Sequence, residues 1–251
     1  MARLFDDGAS EYCYRDGAPA TAAPLTMACW FYSDDITILQ IPMYLGDKDQ
    51  DNIHFFELQL AGNVAGDPVR ASASDAGNST AASSAGYSAN TWHHGCAVFA
   101  AADSRSAYID GGNKGSNVVA RTPAGIDRVA IGARADSAPG SYMSGRVAEP
   151  AIWNVALTDT EVASLAAGYS PLFIRPQNLV AYWSLIRDED QDRVGGYDLT
   201  AVNAPSIASH VPIRYPFGAQ IPSITGAAVV VAGKLVNSIR LKTLVHGSLT
   251  G

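Results

Sequence analysis

An antiparallel β-sandwich with one short helix is the fold this sequence predicts, and three observations carry it. Short runs rich in aliphatic and aromatic residues recur along the chain, separated by Gly, Asn and Asp. No repeated alternation of strand and helix patterns appears, which excludes a parallel α/β sheet. A single segment, Thr158 to Pro171, carries a full set of helix signals.

Taken in chain order, Leu25 to Tyr32 is apolar and ends in aromatic residues, as a buried strand does. Ile53 to Leu60 alternates, so His54, Phe56, Leu58 and Leu60 are expected to face a core and Glu57 and Gln59 to face away. Val69 to Ala73 is a further short strand. Gly77 to Gly86, GNSTAASSAG, reads as a low-complexity loop that packs little. Trp92 to Ala100, Ala107 to Asp110 and Val129 to Ala133 are strands, with Asp110-Gly111-Gly112 as a turn. Thr158 and Glu161 have capping-box spacing, Val162, Leu165 and Ala166 share one helical face, Gly168 ends the helix and Pro171 blocks its restart. Leu179 to Leu185 is a strong strand.

Composition shifts near Ala204. Pro205, Pro212, Pro216 and Pro222 punctuate a stretch without alternation, and Ile224 to Gly251 then offers two strand-like runs, AAVVVAG and LVNSIRLKTLVHG. The expected organisation is a main domain over 1–204 and a strand-rich extension over 205–251. An isolated hairpin is marginal in water, so these strands are expected to add to the sandwich or to another chain.

The chain has 251 residues, 47% of them hydrophobic, with a formal net charge of −7 and only 16% charged residues. That length and apolar content build a sizeable core. No Lys/Arg cluster offsets the acidity, which argues against nucleic acid as a partner, and no apolar run has membrane-spanning length. Cys13, Cys29 and Cys96 have no metal-ligand spacing and read as buried, reduced thiols. Together with an N-terminus lacking an apolar signal region, they favour a chain made in a reducing cytosol and not secreted.

No residues form a catalytic set. Hydrolysis of a glycoside needs two facing carboxylates about 5 Å apart when the anomeric configuration is retained. Glu57, Glu149 and Glu161 lie on different elements, and the last two read as an edge charge and a helix cap. Asp47, Asp49 and Asp51 alternate in one run and Asp188, Asp190 and Asp192 in another. Alternating carboxylates can converge on Ca²⁺, which takes six or more oxygens, but neither run has the glycine and glutamate of an EF-hand loop. Both are expected as solvated acidic loops, with Ca²⁺ as the one metal they suit. His93 and His94 have no third ligand at metal spacing and no nearby nucleophile motif. Trp30, Trp92, Trp153 and Trp183 lie in or at the ends of strand runs. Tyr44, Tyr87, Tyr142, Tyr169 and Tyr215 are better placed for an exposed sugar platform on position alone, although core or interface packing is the expected role of any single one.

Several pieces then occur in the order of a known family. FDDGASEY at Phe5 to Tyr12 resembles an opening strand, and LTMACWFY a strand ending in an aromatic pair. WHHGCAVF followed by AYIDG resembles a Trp-x-His strand and its Tyr-x-Asp-Gly partner. VAIGA, SGRVAEPAIWNVALTDTEVASL, LVAYWSL and GGYDL complete the series. Over about Arg3 to Leu199 the chain resembles the laminin-G-like, concanavalin-A-like jelly-roll domains, especially those of bacteriophage and prophage proteins. The resemblance implies a jelly-roll sandwich and places His94 in a structural role beside Trp92. Ala148-Glu149 stands where members often carry Asp-Glu, Gly95 where a β-branched residue is common, and Pro150 favours an edge or a bulge.

A fold of this kind hosts sugar binding, adhesion and hydrolysis alike. The expected function is a non-catalytic virion protein, a capsid decoration or cement protein that binds the major capsid protein and neighbouring copies of itself as a homo-oligomer. The alternative is a carbohydrate-binding, lectin-like adhesin of a phage tail or fibre. No cofactor is expected beyond the Ca²⁺ candidates.

Overall fold

Two antiparallel sheets packed face to face form the larger unit of the chain in the computed structural model, which describes residues 2–186 and 190–215 and the backbone of 230–231 and 234–235. In chain order the strands are β1 (Ala2–Phe5), β2 (Tyr12–Asp16), β3 (Leu25–Ser33), β4 (Leu39–Gly46), β5 (His54–Ala61), β6 (Pro68–Asp75), β7 (Asn78–Gly86), β8 (Trp92–Ala101), β9 (Ser104–Ile109), β10 (Gly112–Asn117), β11 (Arg128–Ile131) and β12 (Gly145–Trp153). Helix α1 (Asp159–Ala166) follows, then a 3₁₀ turn at Pro171–Phe173, β13 (Leu179–Tyr182), β14 (Thr200–Val202) and β15 (Ser206–Ala208). The first sheet runs β10-β9-β8-β3-β12-β1-β15, with β13 also paired to β12; the second runs β14-β2-β11-β4-β5-β6-β7.

The main core lies between the sheets. Leu25, Met27, Cys29 and Phe31 of β3 meet Phe56, Leu58 and Leu60 of β5 there, as the alternation of Ile53 to Leu60 requires. The opposite faces are covered as well. On the first sheet, Ala28, Cys96, Val98, Ala151 and Trp153 pack under Val162 and Leu165 of α1. On the second, Tyr44, Phe55 and Ala130 pack against Ala135, from the connection between β11 and β12. Double covering explains why LTMACWFY reads as one unbroken apolar run. The same covering buries Glu57 and Gln59, which face away from the main core as the alternation requires.

Three local expectations change. Gly77 to Gly86 is a strand, β7, and its inward positions are the small residues Ser79, Ala81 and Ser83. β10 approaches the β7 backbone closely, and position 115 must be glycine: a Cβ there would come within 1.6 Å of the Ala82 carbonyl oxygen. Within Phe5 to Tyr12 the residues between β1 and β2 form a turn rather than a strand, closed by Asp6, whose carboxylate accepts the backbone N–H groups of Gly8 and Ala9. Gly95 faces the core, where a β-branched side chain has no room because a Cβ would already touch Phe31 at 3.2 Å. The helix keeps its expected form, with a capping box between Thr158 and Glu161 and the left-handed Gly168 after its end.

Met1–Pro216 and Phe217–Gly251 separate into two compact units. In the second, β16 (Val230–Val231) pairs antiparallel with β17 (Lys234–Leu235). The remainder of the two strand-like runs after Ile224 lies outside the described residues. In the first unit, β15 pairs with β1, so Ser206–Ala208 belongs to the sandwich. No helix among the described residues is long and apolar enough to cross a membrane.

Candidate functional site

The outer face of the second sheet carries a row of cross-strand neighbours, Thr200, Tyr14, Ala130, Tyr44, Glu57, Ser72 and Thr80. Strand β2, YCYRD, alternates: Cys13 enters the core while Tyr12 and Tyr14 stay on this outer face, half-buried. Tyr142, in the stretch leading into β12, joins them. The ring centroids of Tyr12 lie 5.9 Å from those of Tyr14 and 6.1 Å from those of Tyr142. The Tyr142 hydroxyl donates to the Pro139 carbonyl at 2.9 Å, which fixes its ring. Arg128 stacks over Tyr14 at 4.7 Å and pairs with Asp16 at 2.8 Å. Burial, and then the neighbouring Tyr142, hold the Tyr12 phenol above its ordinary pKa, so this is a neutral aromatic flank beside one ion pair.

Farther along the same face the surface closes. Glu57 is 0% exposed, and Arg134 donates to both its oxygens, at 2.6 and 3.0 Å, with Gln59 adding a third hydrogen bond at 2.6 Å. Burial opposes the charge of Arg134, but the Glu57 carboxylate outweighs it and holds the guanidinium pKa above its usual value. Arg134 also covers Phe55, 4.9 Å from its ring. Tyr44 is buried with its ring filling the space a Cβ on Gly46 would occupy. Of the tyrosines favoured as platforms, Tyr44 and Tyr87 are therefore core residues and Tyr215 is tied to Glu149. Tyr142 and Tyr169 keep open surface. Tyr12 and Tyr14 were missed; the alternation of YCYRD was the signal.

The acidic runs separate. Asp47 and Asp49 converge with Asp127, one oxygen or more of each within 4.8 Å of the others, while Asp51 stays outside the group. Lys48 places its ammonium on Asp49 at 3.2 Å and on Asp127, so a protein cation already offsets one of the three negative charges of the cluster. Hydrogen bonding to Lys48 overcomes the burial of Asp127 and keeps its pKa below the carboxylate range. In the second run Asp188 lies outside the described residues. Asp190 binds Arg3, and Asp192 accepts the backbone N–H groups of Tyr182, Val194, Gly195 and Tyr197. Asp192 is thus a turn-former.

Glu149 is not the edge charge it was expected to be. It sits in a bulge of β12, between β3 and β13, with φ +56° and 2% exposure. Pro150 accounts for the bulge, having no N–H for the ladder. The Glu149 carboxylate accepts hydrogen bonds from the hydroxyls of Tyr182 (2.5 Å) and Tyr215 (2.6 Å) and lies 3.1 Å from His210. Burial and the Glu149 charge push the phenol of Tyr182 well above its ordinary pKa. His94 is buried, but its ring packs on Trp30 at 5.3 Å rather than beside Trp92, which packs on Tyr32 at 5.7 Å. Residues two apart on β8 share a face, and each takes its own partner on β3, where His94 is opposite Trp30 and Trp92 opposite Tyr32. The three cysteines are buried, and burial raises the thiol pKa of Cys29 and Cys96.

A jelly-roll pair of sheets with this order agrees with the family comparison. The model of the concanavalin A-like lectin/glucanase superfamily, in its laminin-G form, matches residues 6–163. The chain belongs to this superfamily. A carbohydrate-binding protein candidate of Bacteroides ovatus is similar in structure, with TM-score 0.58 and 18% identity over 85% of this chain. The chain spans 61% of that protein's length. A heptameric pentraxin of Limulus polyphemus that resembles serum amyloid P aligns with TM-score 0.54 and 15% identity, covering 78% of this chain and 87% of the pentraxin. Domain 4 of an extracellular arabinanase from Geobacillus stearothermophilus, solved with arabinotriose, aligns with TM-score 0.50 and 20% identity, covering 61% and 70%. At these identities the likeness is one of fold. No curated protein sequence matches the chain.

Proposed function

We propose that this member of the superfamily is a glycan-binding domain without catalysis of its own, and that sugar stacks on the Tyr12–Tyr14–Tyr142 flank. The observation that carries this reading is the flank itself: three half-buried phenol rings, held by packing, beside the Arg128–Asp16 pair. Aromatic faces complement the C–H faces of a pyranose, and a few fixed polar groups orient it. The arabinotriose complex and the Bacteroides ovatus protein lend support from the fold. The virion reading drew on the N-terminus without an apolar signal region, the reduced cysteines, the Pro-punctuated tail from Pro205 to Gly251 and the phage-type resemblance; none of these observations favours a capsid over a glycan as partner.

The test is a glycan panel followed by calorimetry on the best hit. Tyr12→Ala and Tyr14→Ala are each expected to weaken binding about tenfold, about 1.4 kcal/mol, with the fold intact by circular dichroism. Silence across the panel at millimolar glycan, or wild-type affinity in both variants, overturns the proposal.

A further inference from the structure

On the opposite side of the sandwich, after β15, the chain crosses the outer face of the first sheet and meets the C-terminal end of α1. Arg214 donates its backbone N–H to the Gly168 carbonyl at 2.7 Å, and its own carbonyl accepts the Ser170 N–H at 2.9 Å. Gly168, with φ +85°, permits this approach; a Cβ there would come within 3.2 Å of the Pro212 carbonyl oxygen. Between these two walls runs a groove of about 320 Å³, lined by Trp30, Ala166, Gly168, Pro212, Ile213 and Arg214. Ligand sites begin at about 300 Å³, so the groove suits one or two sugar rings.

Its two ends differ chemically. At the mouth, Arg214 stacks over Tyr169 at 5.1 Å, and Tyr169 (40% exposed) packs edge-on against Phe173 (44% exposed). Among the described residues the Arg214 guanidinium has no carboxylate partner, in a chain of net charge −7. At the inner end, Trp30 and Ile213 also line a smaller enclosed cavity together with His94 and Glu149. His94 is 2% exposed and its Nδ1 has no hydrogen-bond partner. A buried polar atom left unpaired is costly, and a ligand hydroxyl reaching it would remove that cost. The carboxylate of Glu149, by contrast, already has its phenol donors.

We propose that this groove is a second ligand site and that it takes a sugar acid, such as a uronate residue of an acidic glycan. The carboxylate pairs with Arg214, the ring lies on Trp30, and a hydroxyl points toward His94. The choice of a sugar over another hydroxylated anion rests on the glycan-binding reading; the groove and its unpaired groups do not. Guanidinium–carboxylate pairing gives selectivity for the acid over its ester, since the ester removes the charge and keeps the ring.

Calorimetry of the full chain with tri-galacturonate, tri-glucuronate and their methyl esters tests this. Either acid is expected to bind, its ester at least about tenfold more weakly. Arg214→Gln should abolish the difference between acid and ester, Arg214→Lys should restore part of it, and Trp30→Leu should weaken both. Tyr14→Ala should leave the acid's affinity within about twofold. Arg214 is exposed, so its variants test the site without threatening the fold. No binding by either acid, equal binding of acid and ester, or unchanged affinity in Arg214→Gln overturns the proposal. Failure of the tyrosine flank looks different: there Tyr12→Ala and Tyr14→Ala change nothing while Arg214→Gln still acts.

Discussion

His94 shows how much a single side chain contributes to the acid response of the fold. Burial lowers its pKa from 6.5 to about 4, the nearby Asp110 charge opposing only part of that shift. As pH falls below about 6.5 the unfolded chain takes up this proton and the native chain does not. Stability is therefore lost progressively between pH 6.5 and 4, by about 3 kcal/mol, and no further below that. Urea unfolding at pH 7 and pH 4 should show this loss in the wild type and a loss about 3 kcal/mol smaller in His94→Gln. Equal losses in the two proteins would refute it. The buried, structural character of His94 was readable from WHHGCAVF, but its partner was not, because register against β3 is a long-range property. Glu149 was misread for the same reason: Pro150 correctly signals a bulge, while nothing local announces that residues 210–215 return to cover it.

Among elements, those set by local rules were the most legible. Helix α1 follows from Thr158, Glu161 and Gly168, groups that act within a turn or two of one another. Strand β7 was not legible, since its Ser and Ala read as loop and its pairing with β6 is made between segments rather than within one. The connection between β11 and β12 was the least visible, and its packing over β4 and β5 is anchored by Arg134 on Glu57. Removing one partner of a buried pair leaves an uncompensated charge, whereas removing both does not. Arg134→Met should cost about 3 kcal/mol in urea unfolding, and Glu57→Leu combined with Arg134→Met should recover more than half of that. A cost below about 1 kcal/mol in the single variant would show that the connection is held by its apolar contacts with Tyr44 and Phe55 instead.

For the whole molecule, strand order and closure come from contacts between distant segments, which the sequence pattern does not encode. The apolar runs announce a sandwich; they do not say that β15 completes a sheet beside β1, or that the next residues clasp β12. The shift in composition near Ala204 precedes that clasp. A chain ended after Ala204 loses β15, the Ser209 bond to Arg146, and both Tyr215 and His210, which cover Glu149. A chain ended after Pro216 keeps all of these, and the unit that closes at Pro216 is compact by itself. The lost strand pairing of β15 and the lost hydrogen bonds at Arg146 and Glu149 together cost on the order of 3 kcal/mol. The Pro216 version should therefore unfold in urea within about 1 kcal/mol of the full chain at pH 7, and the Ala204 version at least about 3 kcal/mol earlier. Equal stability of the two shortened chains would place the end of the folding unit at Ala204 and reduce the clasp to surface decoration.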